Sequence, residues 1–345
     1  MKVTIRDIAK VCKISPATVS NVINNKGRVK QGTRDMVMDT LKRMNYDPYK
    51  TAPWLKKAGT RLIGLVTPTT TTELDPFYNR AITSAKTATG KYGYNCVLYW
   101  DQEVVQKTTE SRYLSRGIIP CDGLIFFCPF SKWDQALAKL KKWGIPAVLI
   151  RRETRVPGIP VLTDSDLSGA TLAIEHLHRL GHTRIGLVPL RGEVYTIKER
   201  TRAYTDYIQQ HGLEHNPAWV FNRQETPELN QWLQQVMAAQ MPPTAFFCES
   251  DDLAMTLIRA LAGMALRVPE DIAVVGYDNE YSAGRFHPPL TTINVPVREM
   301  IEAACSIIVE QLRNDEPGRT LVEKMEFKNE LVIRESCGGN KTRTA

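Results

Sequence analysis

The sequence predicts an α/β chain in which a small helix-turn-helix headpiece precedes two doubly wound α/β subdomains. Three observations carry that prediction. The first sixty residues show helix caps and apolar stripes at helical spacing. From Arg61 onward, short apolar runs alternate with segments of helical length, and they do so twice over. Positive charge is confined to the first part: residues 1–61 hold fourteen Lys and Arg against four acids, a net of +10 in a chain of +8, so the other 284 residues carry −2. A basic module on a near-neutral body is the footprint of polyanion binding. A merely soluble basic surface gives the same count, so charge alone leaves both readings open.

The elements follow in order. Thr4 caps a helix running to about Val11, and Asp7 at its third position suits a capping box and the helix dipole. Ser15 caps a second helix with Pro16 at its first position, where a missing N–H costs nothing. Val19, Val22 and Ile23 recur at core spacing, and Asn24-Asn25-Lys26-Gly27 ends the helix. A third helix starts near Thr33, aligns Val37, Thr40, Leu41 and Met44, and stops at Tyr46-Asp47-Pro48. The second helix then exposes Ala17, Thr18, Ser20, Asn21 and Asn24, small polar groups suited to a DNA major groove. A three-helix bundle with another task is the plainer alternative.

Leu62–Val66, Asn95–Tyr99, Gly123–Phe127 and Ala147–Ile150 read as buried parallel strands. A second set begins at Arg184–Val188 and continues with Ala245–Cys248 and Ile272–Tyr277; Asn79–Tyr92 and Leu167–Leu180 read as helices between strands. Two such units place a ligand cleft where strand C-termini face each other.

Composition narrows the function. Hydrophobic residues make up 43% and charged residues 24%, ordinary for a globular protein. No run approaches the roughly 20 apolar residues of a membrane span, and the charged start Met1–Asp7 does not read as a secretory signal. Seven cysteines without a Cys-x-x-Cys pair point to a reducing cytoplasm and to buried, apolar thiols. His176, His178 and His182 have metal-like spacing, but Ile174–Leu177 and Gly181–Ile185 resemble a known family's core helix and its exit turn, so no metal is expected. With no Gly-x-Ser-x-Gly, phosphate loop or nucleophile–base pair, neither catalysis nor a cofactor is expected.

The stretch Val3–Lys10 followed by Ile14–Asn24 closely resembles the headpiece of the LacI/GalR family of bacterial transcription regulators, and the likeness continues to Glu330–Ser336. The resemblance implies a DNA-binding headpiece over 1–48, a hinge helix over 49–60, an effector-binding and dimerisation core over 61–336 of periplasmic-binding-protein type, and a polar tail over 337–345. It places Pro16, Ala17 and Asn21 against bases and Thr18 and Ser20 against phosphates, with Thr4, Ser15 and Asn24 beside them. Only Asn21 carries an amide able to pair with adenine, so base reading leans on it. In the hinge, Leu55 matches the leucine that wedges into the minor groove, next to Ala52, with Lys50, Lys56 and Lys57 near phosphates. Pro53 departs from that pattern, because an internal proline removes a helix hydrogen bond; a plain basic linker is the alternative.

For the effector site the resemblance nominates Phe77 and Tyr78 as aromatic walls, Arg200 from the family's arginine helix, and Asp278 as an acceptor for hydroxyls or ring nitrogens. An internal Arg–Asp ion pair is the other reading of the last two. Ser250 replaces an asparagine found in sugar-binding relatives, and Gln224 stands near a stacking aromatic. Arg151 stands where many relatives carry an acid, which favours an anionic ligand, since a guanidinium recognises carboxylate or phosphate as a fork. The expected protein is a cytoplasmic homodimer that binds operator DNA, a repressor tuned by a sugar or sugar derivative with an acidic one favoured. An effector that promotes DNA binding and a solute-binding protein are the rivals. The second of these calls for a secretory signal and no basic headpiece.

Overall fold

The computed structural model of this chain describes residues 3–23, 29–44, 46, 59–68, 76–110, 119–128, 133–191, 195–222, 228–313 and 323–339. The headpiece consists of α1 (Ile5–Cys12), α2 (Pro16–Ile23) and α3 (Gln31–Arg43). Their apolar faces meet in one cluster of Ile8, Ala9, Cys12, Val19, Val22, Ile23, Val37, Leu41 and Tyr46. Helix α3 begins before the expected Thr33, because Gln31 and Gly32 are exposed and add no apolar signal.

The first subdomain runs β1 (Leu62–Thr67), α4 (Pro76–Lys91), β2 (Asn95–Trp100), α5 (Asp101–Glu110), β3 (Gly123–Phe127), α6 (Asp134–Lys142), β4 (Ala147–Ile150) and β5 (Val161–Asp164). The chain then crosses into the second, through α7 (Asp166–Arg179), β6 (Ile185–Val188), α8 (Tyr195–Gln210), a 3-10 turn (Pro217–Trp219), α9 (Leu229–Met237), β7 (Ala245–Cys248), α10 (Asp251–Gly263), β8 (Ala273–Asp278) and β9 (Thr291–Asn294). It returns through α11 (Val297–Arg313) and β10 (Lys324–Phe327), and crosses a third time to β11 (Glu330–Val332). The first sheet has the order β10-β5-β4-β3-β1-β2 and the second β11-β9-β8-β7-β6. All pairs are parallel except β11 with β9. Three crossings tie the two sheets at one edge of each, which makes that edge a hinge.

Strand alternation explains the layers. On β3, Leu124 and Phe126 pack with Trp133, Leu137 and Leu140 under α6, whereas Ile125 and Phe127 face α4 and α11. The second sheet is likewise covered on both faces, by α7 and α8 on one side and by α9 and α10 on the other. At the hinge, Gly169 of α7 lies so close to the Tyr277 hydroxyl and Asn329 that a Cβ would collide with them. The tight approach lets Asn329 Nδ2 donate to both the Tyr277 hydroxyl (2.9 Å) and the Ser165 carbonyl (3.0 Å).

Two expectations need correction. Strand β2 is not buried on both faces: it lies at the sheet margin, beyond full helix cover, with Leu98 40% and Trp100 41% exposed. The tail does not turn polar at residue 337, because Ser336 and Cys337 are buried and bonded into the second sheet, Ser336 Oγ donating to the Val274 carbonyl (2.6 Å). Strands β5, β9, β10 and β11 had no apolar run long enough to announce them. Six of the seven cysteines are buried and Cys96 is half-buried. Among the described residues, no helix is long and apolar enough to cross a membrane.

Candidate functional site

Helix α1 starts at a full capping box. Thr4 N donates to Asp7 Oδ2 (2.9 Å), and Asp7 N donates to Thr4 Oγ1 (3.4 Å). Lys13, at φ 52°, closes the helix and turns the chain toward α2. Ser15 Oγ accepts from Thr18 N (3.0 Å) and lies 2.9 Å from Thr18 Oγ1, so the Thr18 hydroxyl is already occupied. Val19, Val22 and Ile23 are buried; Pro16, Ala17 and Asn21 are exposed, with Thr18 and Ser20 between the two faces. Ala17 and Asn21 are one turn apart and share the outer face. Asn24, Lys50, Ala52, Leu55 and Lys56, with Pro53, lie outside the described residues, as does Gln224.

The second cluster lies where the subdomains meet. Asp166, the first residue of α7, accepts from Arg151 Nη2 on both oxygens (2.7 Å each) and from Arg200 Nε (2.8 Å). Arg151 Nε also lies 2.8 Å from Asp164 Oδ1, a charge contact without the alignment of a hydrogen bond. Arg200 donates to the Glu249 carbonyl, reaches Asp278 Oδ1 at 3.4 Å and stacks 3.6 Å over the Tyr277 ring. Asp166 therefore joins an arginine of the first subdomain, just after β4, to one on helix α8 of the second.

The expectation that Arg151 favours an anionic ligand is thus overturned, because its charge is already met. Asp164 and Asp166 neutralise Arg151, and Arg200 is shared between Asp166 and Asp278. Burial alone would lower the Arg151 pKa, but Asp164 and Asp166 outweigh it and hold the guanidinium firmly charged. Burial likewise pushes Asp166 up, yet Arg151 and Arg200 bring it below the usual carboxylate range.

Other carboxyls move the opposite way. Burial raises Asp278 to about 6 despite Arg200, Arg151 and Arg80. Burial also raises Glu249 to about 7, against bonds from Thr201 (2.6 Å) and Leu190 N (2.9 Å). Asp251 is driven well up by burial and by Asp278, although Thr292 and Glu280 N donate to it. Among the described residues, the second oxygen of Asp278 accepts no hydrogen bond.

Phe77, Tyr78 and Phe127 form an aromatic group with centroids 5.4–5.7 Å apart, and Phe77 lies within cation–π range of Arg151 (5.2 Å) and Arg80 (5.7 Å). Phe77 and Tyr78 are half-buried. Ser250 is spent as the cap of α10, accepting from Leu253 N (3.2 Å). Arg151, Asp278 and Asn279 all have positive φ (60°, 106° and 53°), a backbone cost that gathers around functional clusters. The three histidines part company, to Cys337, Tyr207 and Thr244. Among the described residues, no group of three potential ligands could hold a metal.

Sequence reasoning missed Asp164, Asp166, Glu249, Asp251 and Arg80. The Asp164-Ser165-Asp166 run, an acid on each side of a helix cap, was the one legible sign of the hub.

The comparisons with known proteins align with both halves. Residues 4–49 match the family described as bacterial regulatory proteins, lacI family, and residues 174–337 match a periplasmic binding protein-like domain. Over 336 residues the chain is 31% identical to the HTH-type transcriptional repressor PurR of Aliivibrio salmonicida, covering 96% of this chain and 98% of the relative. The repressor of the same name from Haemophilus influenzae is 30% identical over 338 residues, with the same coverage. Solved structures with the same fold include a CelR–cellobiose complex (TM-score 0.65, 24% identity, 97% of this chain and 100% of the other). Another is the lac repressor dimer bound to operator and the anti-inducer ONPF (TM-score 0.63, 24% identity, 97% and 99%).

Proposed function

The chain belongs to the LacI family of bacterial transcription regulators, a DNA-binding repressor controlled by an effector and not an enzyme, and from that premise we propose how it reads both partners. The outer face of α2 enters the operator's major groove, Asn21 reads a base and Ala17 packs beside it; residues 49–57 continue into the minor groove with Leu55. The protein works in the cytoplasm as a homodimer, as is typical of the family. The effector binds between the subdomains, against Phe77 and Tyr78 and beside Asp278.

The observation that carries this reading is the Arg151–Asp166–Arg200 hub at the crossover. A ligand that touches Asp278 acts on Arg200 and, through Asp166, on the opposite subdomain. A change in the angle between subdomains then spreads or closes the paired hinges on DNA.

The effector is a sugar or sugar derivative. Supporting this, the second Asp278 oxygen accepts a hydroxyl while the half-buried aromatics meet an apolar sugar face. A flat heterocycle also stacks on Phe77 and offers a donor to Asp278, so a free nucleobase is the rival ligand. Gel-shift titration on the protein's own upstream DNA, with sugars and nucleobases added separately, tests the reading. Release or tightening by a sugar supports it and gives the sign of control. A response to a nucleobase alone defeats the sugar class.

A further inference from the structure

Arg80 projects from α4 of the first subdomain, and its Nη1 donates to the main-chain carbonyl of Asn279 in the second, 3.1 Å away. The other two nitrogens, Nε and Nη2, are buried and make no hydrogen bond with any described residue. They lie along one edge of the guanidinium plane, so the unmet donors form a single fork. Asp278, Asp251 and Glu280 compensate the charge of Arg80 through space, yet none of them fills its donors.

The Asn279 carbonyl is a fixed post. Its residue has φ 53°, its side chain accepts from Arg334 Nη2 (2.7 Å) and donates to Asn294 Oδ1 (3.0 Å), and its N–H donates to Thr292 Oγ1 (3.3 Å). Phe77 lies beside the guanidinium on the same helix, and Asp278 precedes the post in sequence. The fork therefore opens among the groups assigned to the effector.

Resting on the reading of this cleft as the effector site, we propose that Arg80 selects the effector by an anionic group. A carboxylate or a phosphate seats on the Nε–Nη2 edge while Asp278 takes a hydroxyl. The planar fork matches two anionic oxygens better than it matches a lone hydroxyl. A neutral sugar leaves buried donors unmet and binds weakly. Because Nη1 stays on Asn279, the captured ligand also reinforces the hydrogen bond between subdomains, linking its chemistry to the interdomain angle.

Thermal denaturation of the full chain tests this, since a ligand that binds only the native state raises the melting temperature. The probes are glucose and ribose, glucuronate and galacturonate, and glucose 6-phosphate and ribose 5-phosphate, against wild type, Arg80→Met and Arg80→Lys. Stabilisation of wild type by an acid but not by its neutral parent is expected, and uronate against phosphate identifies the anion. Arg80→Met weakens binding of that acid at least tenfold, and Arg80→Lys recovers only part of it. Without ligand, Arg80→Met melts no lower than wild type, because two unmet buried donors are gone. A markedly lower melting point would make Arg80 structural and overturn the proposal. Equal stabilisation of wild type and Arg80→Met by a neutral sugar also overturns it, and leaves the effector cleft standing. If no probe stabilises wild type, the sugar reading falls and this proposal with it.

Discussion

In the headpiece, the groups offered to the bases, Pro16, Ala17 and Asn21, are neutral, exposed and carried by one eight-residue helix, α2. In the cleft they are charged, mostly buried and drawn from segments as far apart as Arg80, Arg151, Asp166, Arg200 and Asp278. The headpiece core is apolar apart from Thr40, whose hydroxyl is spent on the Met36 carbonyl, and among the described residues it buries no charge, so its outer face is free to be specified by the partner. The cleft must first satisfy its own charges, and only what is left over serves a ligand. Deleting a paired charge in the cleft therefore damages folding, whereas deleting a group on the outer face of α2 damages recognition.

The largest effect tests the cleft side of that contrast. Asp166→Ala strands Arg151 and Arg200 in the interior and should cost about 3–5 kcal/mol of stability. Urea denaturation measures it, and a loss under 1 kcal/mol would mean that Asp164 and Asp278 suffice for both arginines.

The next effect is a pH dependence. Glu249 titrates near 7 in the folded chain against 4.5 ordinarily. Its folded pKa is raised, so the folded state binds the extra proton, and stability falls as pH rises from about 4.5 through 7. The loss from this group is on the order of 3 kcal/mol. Asp278, raised to about 6, acts in the same direction. Glu249→Gln should flatten the melting-temperature profile between those pH values; an unchanged slope would assign it to other groups.

On the headpiece side, Asn21→Ala should leave stability alone and cost roughly 1–3 kcal/mol of operator binding, with relaxed preference at one base pair. Base-substitution series with both proteins read this out. A uniform loss across all sequences would reassign Asn21 to the backbone.

The smallest effect sharpens the comparison from within the headpiece. Thr4→Ala removes the α1 cap and should cost about 1 kcal/mol of stability. Operator affinity should follow only as far as the fraction folded. A larger drop in affinity would give the Thr4 hydroxyl a direct phosphate contact.

The sequence by itself determined the headpiece and the alternating architecture of the body. Thr4 with Asp7, Ser15 with Pro16, and the Val19–Val22–Ile23 stripe act over three or four residues, and such local patterns survive without knowledge of neighbours. The core strands of both sheets were legible for the same reason, as continuous apolar runs. Only the tertiary structure decided that β2 is a margin strand, that Cys337 is buried against His176, and which arginine is free to meet a ligand. Arg151 attracts notice in the sequence, yet folding seats it on Asp164 and Asp166; Arg80 attracts none, yet its fork ends unfilled. A sequence supplies the charges but not the distances between them. Coulomb energy and hydrogen bonding depend on those distances, and for residues 80, 151, 166, 200 and 278 they exist only once the two sheets have met at the hinge.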